Sequence, residues 1–439
     1  MKQLDVYYDM QKAGKIISDN QGVLSFKYDN DWVTQNKPVL SAQLSLSNES
    51  YSDTQIRKYL ANLLPEENAL KQLTNILKID SNNLFDLLYE IGRDCSGAVS
   101  FWPHDAINDI SKNNKSGYKL LSQLAWEDWI NDDSPFPLLN NPDDEVRLSL
   151  AGAQIKALLY FEGDVAYQGQ NGAPSTHIIK PPHRWISTDL VKNELVCLRL
   201  ARAMGINTAQ ADIWKGCLRI KRYDRKHTIK NGQTQNIRRL HQEDFCQLLG
   251  RMPEQKYESI STPESLFGQC FNKLDELGSQ GILKTPAIAK LALLDLIIFN
   301  ILIWNTDAHL KNFSILYNEH GDCHLAPAYD LISTRKLFLK DEHGKKHNMA
   351  SKLAIGIGGE KIISQIKHKN WQKFSLECGL SPKLVFKHIK SMAEKIYDHS
   401  QSTIYNDVNS SYNPSTWDSL FLETIKQQRD RAFSWLNEI

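Results

Sequence analysis

Neither sign of charge dominates this sequence. Its 439 residues carry 52 Lys and Arg against 51 Asp and Glu, a net charge of +1. The chain as a whole therefore offers no field that would gather a polyanion, and any nucleic-acid surface has to be local. Long apolar runs are missing too. The most apolar stretch, Leu291 to Trp304, falls short of a bilayer span and carries Asp295 and Asn300, so it reads as a buried helix. The opening MKQLDVYYDMQKAGK lacks the apolar core and small-residue cleavage site of a signal peptide. These absences lead us to expect a cytoplasmic protein with no membrane partner. The seven cysteines (95, 197, 217, 246, 270, 323 and 378) lie far apart, without the paired spacing of a zinc site or a disulfide framework. Reduced thiols, many of them filling the core, are the expectation. Internal repeats and low-complexity segments are absent, as are G-x-x-x-x-G-K-[ST] and H-E-x-x-H, which excludes a P-loop and the helical zinc-hydrolase motif.

What is present is an ordinary globular composition, 41% hydrophobic and 23% charged. A chain this long exceeds one hydrophobic core, so two or three packed units are expected. Short strand-like runs open it, LDVYYDM, GKIIS and VLSFKYD, punctuated by turn residues. Helix-period segments follow, TQIRKYLANLL ahead of Pro65 and NLFDLLYEIG closing on Gly92. Between roughly 105 and 142 the chain turns polar and ends in NNPDDE, which marks a candidate boundary. From 146 to 225 strands alternate with one clear helix, Glu194 to Met204, stopped by Gly205. Beyond about 240 the pattern is mostly helical. A β-rich lobe followed by a helical lobe is readable from these patterns.

The strongest chemical signal is Asn305-Thr306-Asp307-Ala308-His309-Leu310-Lys311-Asn312, placed where the long apolar helix gives way to polar residues. Asp307 and Asn312 are five apart, the interval of the protein-kinase catalytic loop, where the Asp takes the acceptor's proton and the Asn holds magnesium. That spacing also arises by chance in most chains of this length. Asp330, eighteen residues beyond Asn312 in LAPAYDLIS, supplies the second acidic group that phosphoryl transfer requires for magnesium; alternatively it is a turn Asp bonded to its own backbone. Upstream, Ser149-Leu150-Ala151-Gly152-Ala153-Gln154-Ile155-Lys156 sets small residues where backbone amides can approach phosphate oxygens, or is a plain strand turn. Lys180 ends the strand THIIK and Glu194 begins the next helix, a pair like the phosphate lysine and helix glutamate of kinases; alternatively Lys180 is a surface lysine beside two prolines. The D-x-H of Asp307 and His309 also suits a metallohydrolase, but the further ligands of such a cluster are not legible. Two basic runs, Lys215 to Lys230 and the lysines 361, 367, 369 and 373 around Trp371, are either solvated faces or local phosphate contacts.

Taken together, DLLYEIGRDCSGAV, RLSLAGAQIK, THIIK, QEDFCQLLG, NTDAHLKNFSILY and APAYDLIS resemble the HipA family of toxin kinases in order and spacing. The resemblance implies an α+β, protein-kinase-like two-lobed fold, with a β-rich N-lobe, an α-helical C-lobe and an extra N-terminal mixed α/β subdomain. The N-terminal subdomain corresponds to 1–140, the N-lobe with its phosphate loop to 141–255, and the helical C-lobe with its catalytic loop and metal site to 256–439. It further implies ATP and magnesium as cofactors and a serine or threonine on a cellular protein as acceptor, with an aminoacyl-tRNA synthetase the usual kind of target. A small helix-turn-helix antitoxin of the HipB type is the implied partner, with operator DNA contacted chiefly through it.

By position, the resemblance makes Asp307 the proton acceptor and places His309, Leu310, Lys311 and Asn312 at the nucleotide. Ala151, Gly152, Ala153, Gln154, Ile155 and Lys156 correspond to the phosphate loop, with Lys180 on the phosphates and Glu194 as its ion-pair support. Lys221, Arg222 and Tyr223 correspond to a strand whose backbone meets adenine, and Tyr329, Asp330, Leu331 and Ile332 close the metal site, with Asn312 and Asp330 as its ligands. Ser149 matches the serine that members autophosphorylate. A phosphate there adds about 1.5 to 2 negative charges and should expel the loop and silence the kinase. Ile155 and Lys221 depart from the family pattern, standing where polar or charged and acidic residues are usual. Two other classes stay open at this point, a small-molecule phosphotransferase and a catalytically inactive, antitoxin-binding co-repressor.

Overall fold

The computed structural model describes residues 1–104, 117–131, 156–182, 190–230, 233–259, 264–335, 337–340, 346–348, 352–408 and 415–436. The chain divides into two compact units. One comprises Met1–Pro181, Arg219–Pro253 and Leu316–Gly321, the other Pro182–Leu218, Glu254–Ile315 and Asp322–Ile439.

The first unit opens with four antiparallel strands, β1 (Lys2–Tyr8), β2 (Gln11–Ser18), β3 (Leu24–Tyr28) and β4 (Val99–Pro103), in the order β3-β2-β1-β4. In β3 strict alternation sends Leu24, Phe26 and Tyr28 inward. Asp9 and Met10 join β1 to β2 with φ of 43° and 69°, the paired positive values of a type I′ turn. The Asp9 carboxylate explains why a non-glycine stands there, since it accepts from Arg238 Nε and from the Arg239 backbone N–H, both at 2.8 Å. The helices Asp53–Ala61, begun by a Ser52–Gln55 capping box, and Leu84–Ile91, capped by Asn83, lay Ile56, Leu60, Leu87 and Leu88 on this sheet. The polar stretch read as a boundary holds a strand and a helix. These are β5 (Tyr118–Leu120) and Gln123–Asn131, whose Trp126 and Trp129 are buried. With β6 (Ala157–Glu162), β7 (Val165–Gly169) and β8 (His177–Lys180), β5 forms an antiparallel series β5-β7-β6-β8.

Charge is buried in this unit. Asp94 accepts from Arg225 at 2.8 Å and Arg222 at 3.2 Å, while Asp224 accepts from Arg222 at 2.8 Å and Arg225 at 2.9 Å. The Arg239 guanidinium lies 3.8 Å from Asp94 and donates to the carbonyls of Arg93 and Gly172. Burial by itself raises a carboxyl pKa, but the three guanidinium groups hold Asp94 far below its ordinary value. Gly97, at φ 79°, donates its N–H to Asp224, and a Cβ there would stand 2.9 Å from the Gln242 nitrogen. Only glycine fits this approach.

The second unit is built around the helix Pro286–Leu302, in which every residue from Leu293 to Leu302 except Asp295 is buried. A helix apolar on all sides belongs in a core, as expected from its sequence, and Pro286 starts it at a position where no N–H is needed. Around it stand the helices Leu190–Ala203, Leu266–Ser279, His368–Glu377, Pro382–Ser402 and Thr416–Leu436. The first of these begins four residues before the Glu194 start read from the sequence. Its Lys192 is fully buried and paired with Asp418 at 2.7 Å. This part of the chain is less purely helical than its sequence suggests, since Lys352–Ile357 and Glu360–Ile362 form a hairpin. All seven cysteines are buried and unpaired to one another.

Candidate active site

The site grows out of the end of Pro286–Leu302. Trp304 adopts φ 59°, its N–H donates to Ile301, and the Asn305 N–H reaches back to the Asn300 carbonyl at 2.8 Å. These are the two bonds of a Schellman stop, with tryptophan where glycine is usual. The indole is held under the Arg335 guanidinium at 4.8 Å and near that of Arg431 at 5.7 Å. Next, Asn305 links helix to loop: its Nδ2 donates to Asn300 Oδ1 at 2.7 Å and its Oδ1 accepts the Asp307 N–H at 3.1 Å. Asn300 is anchored in turn on the Leu296 carbonyl.

Thr306 is braced from two sides. Its N–H donates to Thr334 Oγ1 at 3.1 Å, and its carbonyl accepts from Ala354 N at 2.8 Å. Thr334 also donates through Oγ1 to the Trp304 carbonyl. Asp307, half-buried, then accepts at its carbonyl from His309 N at 2.8 Å and Asn312 Nδ2 at 3.2 Å. The second contact turns the Asn312 amide oxygen away from Asp307. Leu310 donates to the Lys256 carbonyl, and Leu310–Asn312 forms a single 3-10 turn with Leu310 and Lys311 buried beneath it.

The acidic residue downstream is fixed to the same scaffold. Ala328 pairs with the backbone of Asn207 and Ala209, and the Tyr329 hydroxyl donates to the Lys311 carbonyl at 2.6 Å. Asp330 follows at φ 52°, a left-handed conformation that Asp tolerates better than most residues and that a fixed site often imposes. Beyond Leu331, buried, and Ile332, half-buried, Ser333 is clasped by Asn193, which accepts its N–H at 2.9 Å and donates to its carbonyl at 2.8 Å. Asp307, Asn312 and Asp330 thus all hang on one braced framework. An amide oxygen and a carboxylate are hard donors of the kind magnesium takes, a cation that completes its shell with water and phosphate. Among the described residues no three His, Cys, Asp or Glu side chains converge around Asp307 and His309 as a zinc-hydrolase cluster would require.

Ser149 and Ala151 through Ile155 lie outside the described residues, and Lys156 directly precedes β6. Lys180 is buried at the end of β8 in the first unit; Glu194 is buried in Leu190–Ala203 in the second. The strand Cys217–Lys221 ends before Arg222, whose N–H is donated to the Thr176 carbonyl and whose side chain belongs to the buried ion network; Tyr223 lies in the turn that follows. Trp371, read within a basic run, is fully buried. Missed altogether was Tyr257. Its hydroxyl donates to Asp307 Oδ1 at 3.3 Å and its ring meets His309 edge-on at 5.3 Å, yet no motif marks a tyrosine fifty residues upstream.

A family profile described as the HipA-like C-terminal domain matches residues 148–400, and one described as the HipA N-terminal domain matches residues 4–102. The chain is 32% identical over 432 residues to the putative kinase Y4mE of Sinorhizobium fredii, covering 97% of each. It is 30% identical over 381 residues to the serine/threonine-protein kinase toxin HipA of Shewanella oneidensis, covering 84% of this chain and 81% of that protein. The solved Shewanella oneidensis complex of HipA, HipB and operator DNA superposes with a TM-score of 0.78 at 27% identity, covering 99% of this chain and 97% of that one. The class is therefore that of kinases with an α+β, protein-kinase-like fold. Within that class, the chain belongs to the HipA family.

Proposed function

We propose that this chain is the toxin of a toxin–antitoxin module, an ATP- and magnesium-dependent kinase that phosphorylates serine or threonine on a cellular protein. The observation that carries the reading is the common bracing of Asp307, Asn312 and Asp330 described above. In the transfer step the Asp307 carboxylate accepts the proton of the acceptor hydroxyl as its oxygen bonds to the γ-phosphorus and the bond to ADP breaks. Asn312 and Asp330 would hold magnesium, which neutralises charge on the phosphates when bound. Lys156 and Lys180 are assigned to the phosphates, together with the segment Ala151 to Ile155, while Lys221 and Tyr223 are assigned to adenine.

The name of the Shewanella relative supports the serine/threonine reading, and its solved complex supports an antitoxin of the HipB type that brings operator DNA with it. An aminoacyl-tRNA synthetase is the proposed substrate class. Ser149 is the proposed site of inactivating autophosphorylation. The test is incubation with γ-labelled ATP and magnesium in wild-type, Asp307→Asn and Ser149→Ala forms, with site mapping. Loss of the base should slow transfer roughly 100 to 10,000-fold without unfolding, and Ser149→Ala should remove the self-label alone. Label and growth arrest undiminished in Asp307→Asn would overturn the mechanism.

A further inference from the structure

We propose that Tyr257 is a positioning residue for phosphoryl transfer, its hydroxyl orienting the Asp307 carboxylate toward the acceptor; the proposal rests on Asp307 being the base. A carboxylate turns easily about its last torsion, where the wells are broad and two-fold. A base that must meet an incoming hydroxyl within a few tenths of an ångström needs an external donor to fix that angle. The Tyr257 phenol supplies one, 3.3 Å from Oδ1.

The placement of this donor is built, not incidental. Ala354, in the strand Lys352–Ile357, accepts from Glu258 N at 2.9 Å and donates to the Thr306 carbonyl at 2.8 Å. One residue of one strand thus holds the neighbour of Tyr257 and the neighbour of Asp307 together, and sets the distance between them. On the other side of Tyr257, the Lys256 carbonyl accepts from Leu310 N at 3.2 Å. Glu258 is tied down further, its carboxylate accepting from Gly356 N at 2.9 Å and its carbonyl from Lys361 Nζ at 2.6 Å. The ring itself meets the His309 imidazole in a T-shaped contact, and Lys256 Nζ lies 5.1 Å from its centroid. Tyr257 is 39% exposed, so the donor stands at the surface from which a protein acceptor must approach.

The test compares wild type with Tyr257→Phe, Tyr257→Leu and Asp307→Asn. The rate of labelled phosphate transfer from ATP, with magnesium, is measured into the chain itself and into a desalted cell extract, after subtracting a blank that lacks the added chain. Removing the hydroxyl alone should lower kcat roughly 10-fold, the rate equivalent of one hydrogen bond to a charged group. KM for ATP and the thermal midpoint should stay put. Phe and Leu should be equally slow, because the hydroxyl and not the ring acts on the base. A Phe variant at the wild-type rate, or a loss confined to KM, overturns the proposal. Asp307→Asn as fast as wild type would instead overturn the reading of Asp307, which is thereby tested separately.

Discussion

Glu243 and His241, two residues apart and both buried, titrate in opposition. The Glu243 carboxylate accepts from Ala42 N at 3.0 Å and the Tyr317 hydroxyl at 2.8 Å, yet burial outweighs these bonds and pushes its pKa up to about 7 from an ordinary 4.5. His241 is bonded through Nε2 to the Leu40 carbonyl, and burial lowers its pKa to about 4. For Glu243 the folded state binds the proton more tightly, so stability falls as pH rises from about 4.5 to 7. For His241 the unfolded state binds it more tightly, so stability rises from about 4 to 6.5. The two nearly cancel between pH 4.5 and 6.5, leaving a loss on the alkaline side that belongs to Glu243. Glu243→Gln should therefore raise the thermal midpoint at pH 8, by a stabilisation on the order of 3 kcal/mol, and change little at pH 5. Thermal melts at the two pH values check this; an equal shift at both would exclude a buried proton. Nothing in HQED reveals this chemistry, because burial comes from Leu40 and Tyr317, far away in the chain.

At the scale of elements, the link between helix and loop is Asn305. Asn305→Ala leaves Asn300 Oδ1 and the Asp307 N–H without the partners they have here, which should cost about 1 to 3 kcal/mol and slow transfer as the loop loosens. Melting and transfer rate, measured on the same preparation, should fall together; a stable but slow variant would mean the amide acts on chemistry alone. The helix before it was legible because an unbroken apolar run of that length has few other uses, and the polar octet after it stood out by contrast. The early strands were legible from alternation and turn residues. Less visible was the strand Lys352–Ile357, where a glycine interrupts a short apolar run. The braces from Thr334 and Ala354 were illegible for another reason: local pattern records what a residue prefers, not which distant residue meets it. Spacing picks out Asp307, Asn312 and Asp330 as candidates, but nothing in the local sequence picks out Tyr257.

At the scale of the molecule, a net charge of +1 conceals a buried ionic centre. Arg222 and Arg225, counted within a basic run, are spent on Asp94 and Asp224. Asp94 lies in the segment matched by the HipA N-terminal profile, whereas the arginines lie in the segment matched by the C-terminal one. Asp94→Ala strands guanidinium charge in the interior and should destabilise the first unit by about 3 to 5 kcal/mol. Its melting transition should drop or split, and one unchanged from wild type would show the arginines to be solvated. The second unit has its own long-range debt. The carbonyl of Ile301, at the root of the Asn305–Asn312 loop, is bonded by Gln428 Nε2 at 2.8 Å. On the ribosome, Gln428 is added roughly 120 residues after Asp307, an interval of about 6 to 24 s at ordinary elongation rates. A nascent chain stalled within that interval carries every residue of the Asn305–Asn312 loop without this support, so the loop's final geometry should arrive late during synthesis.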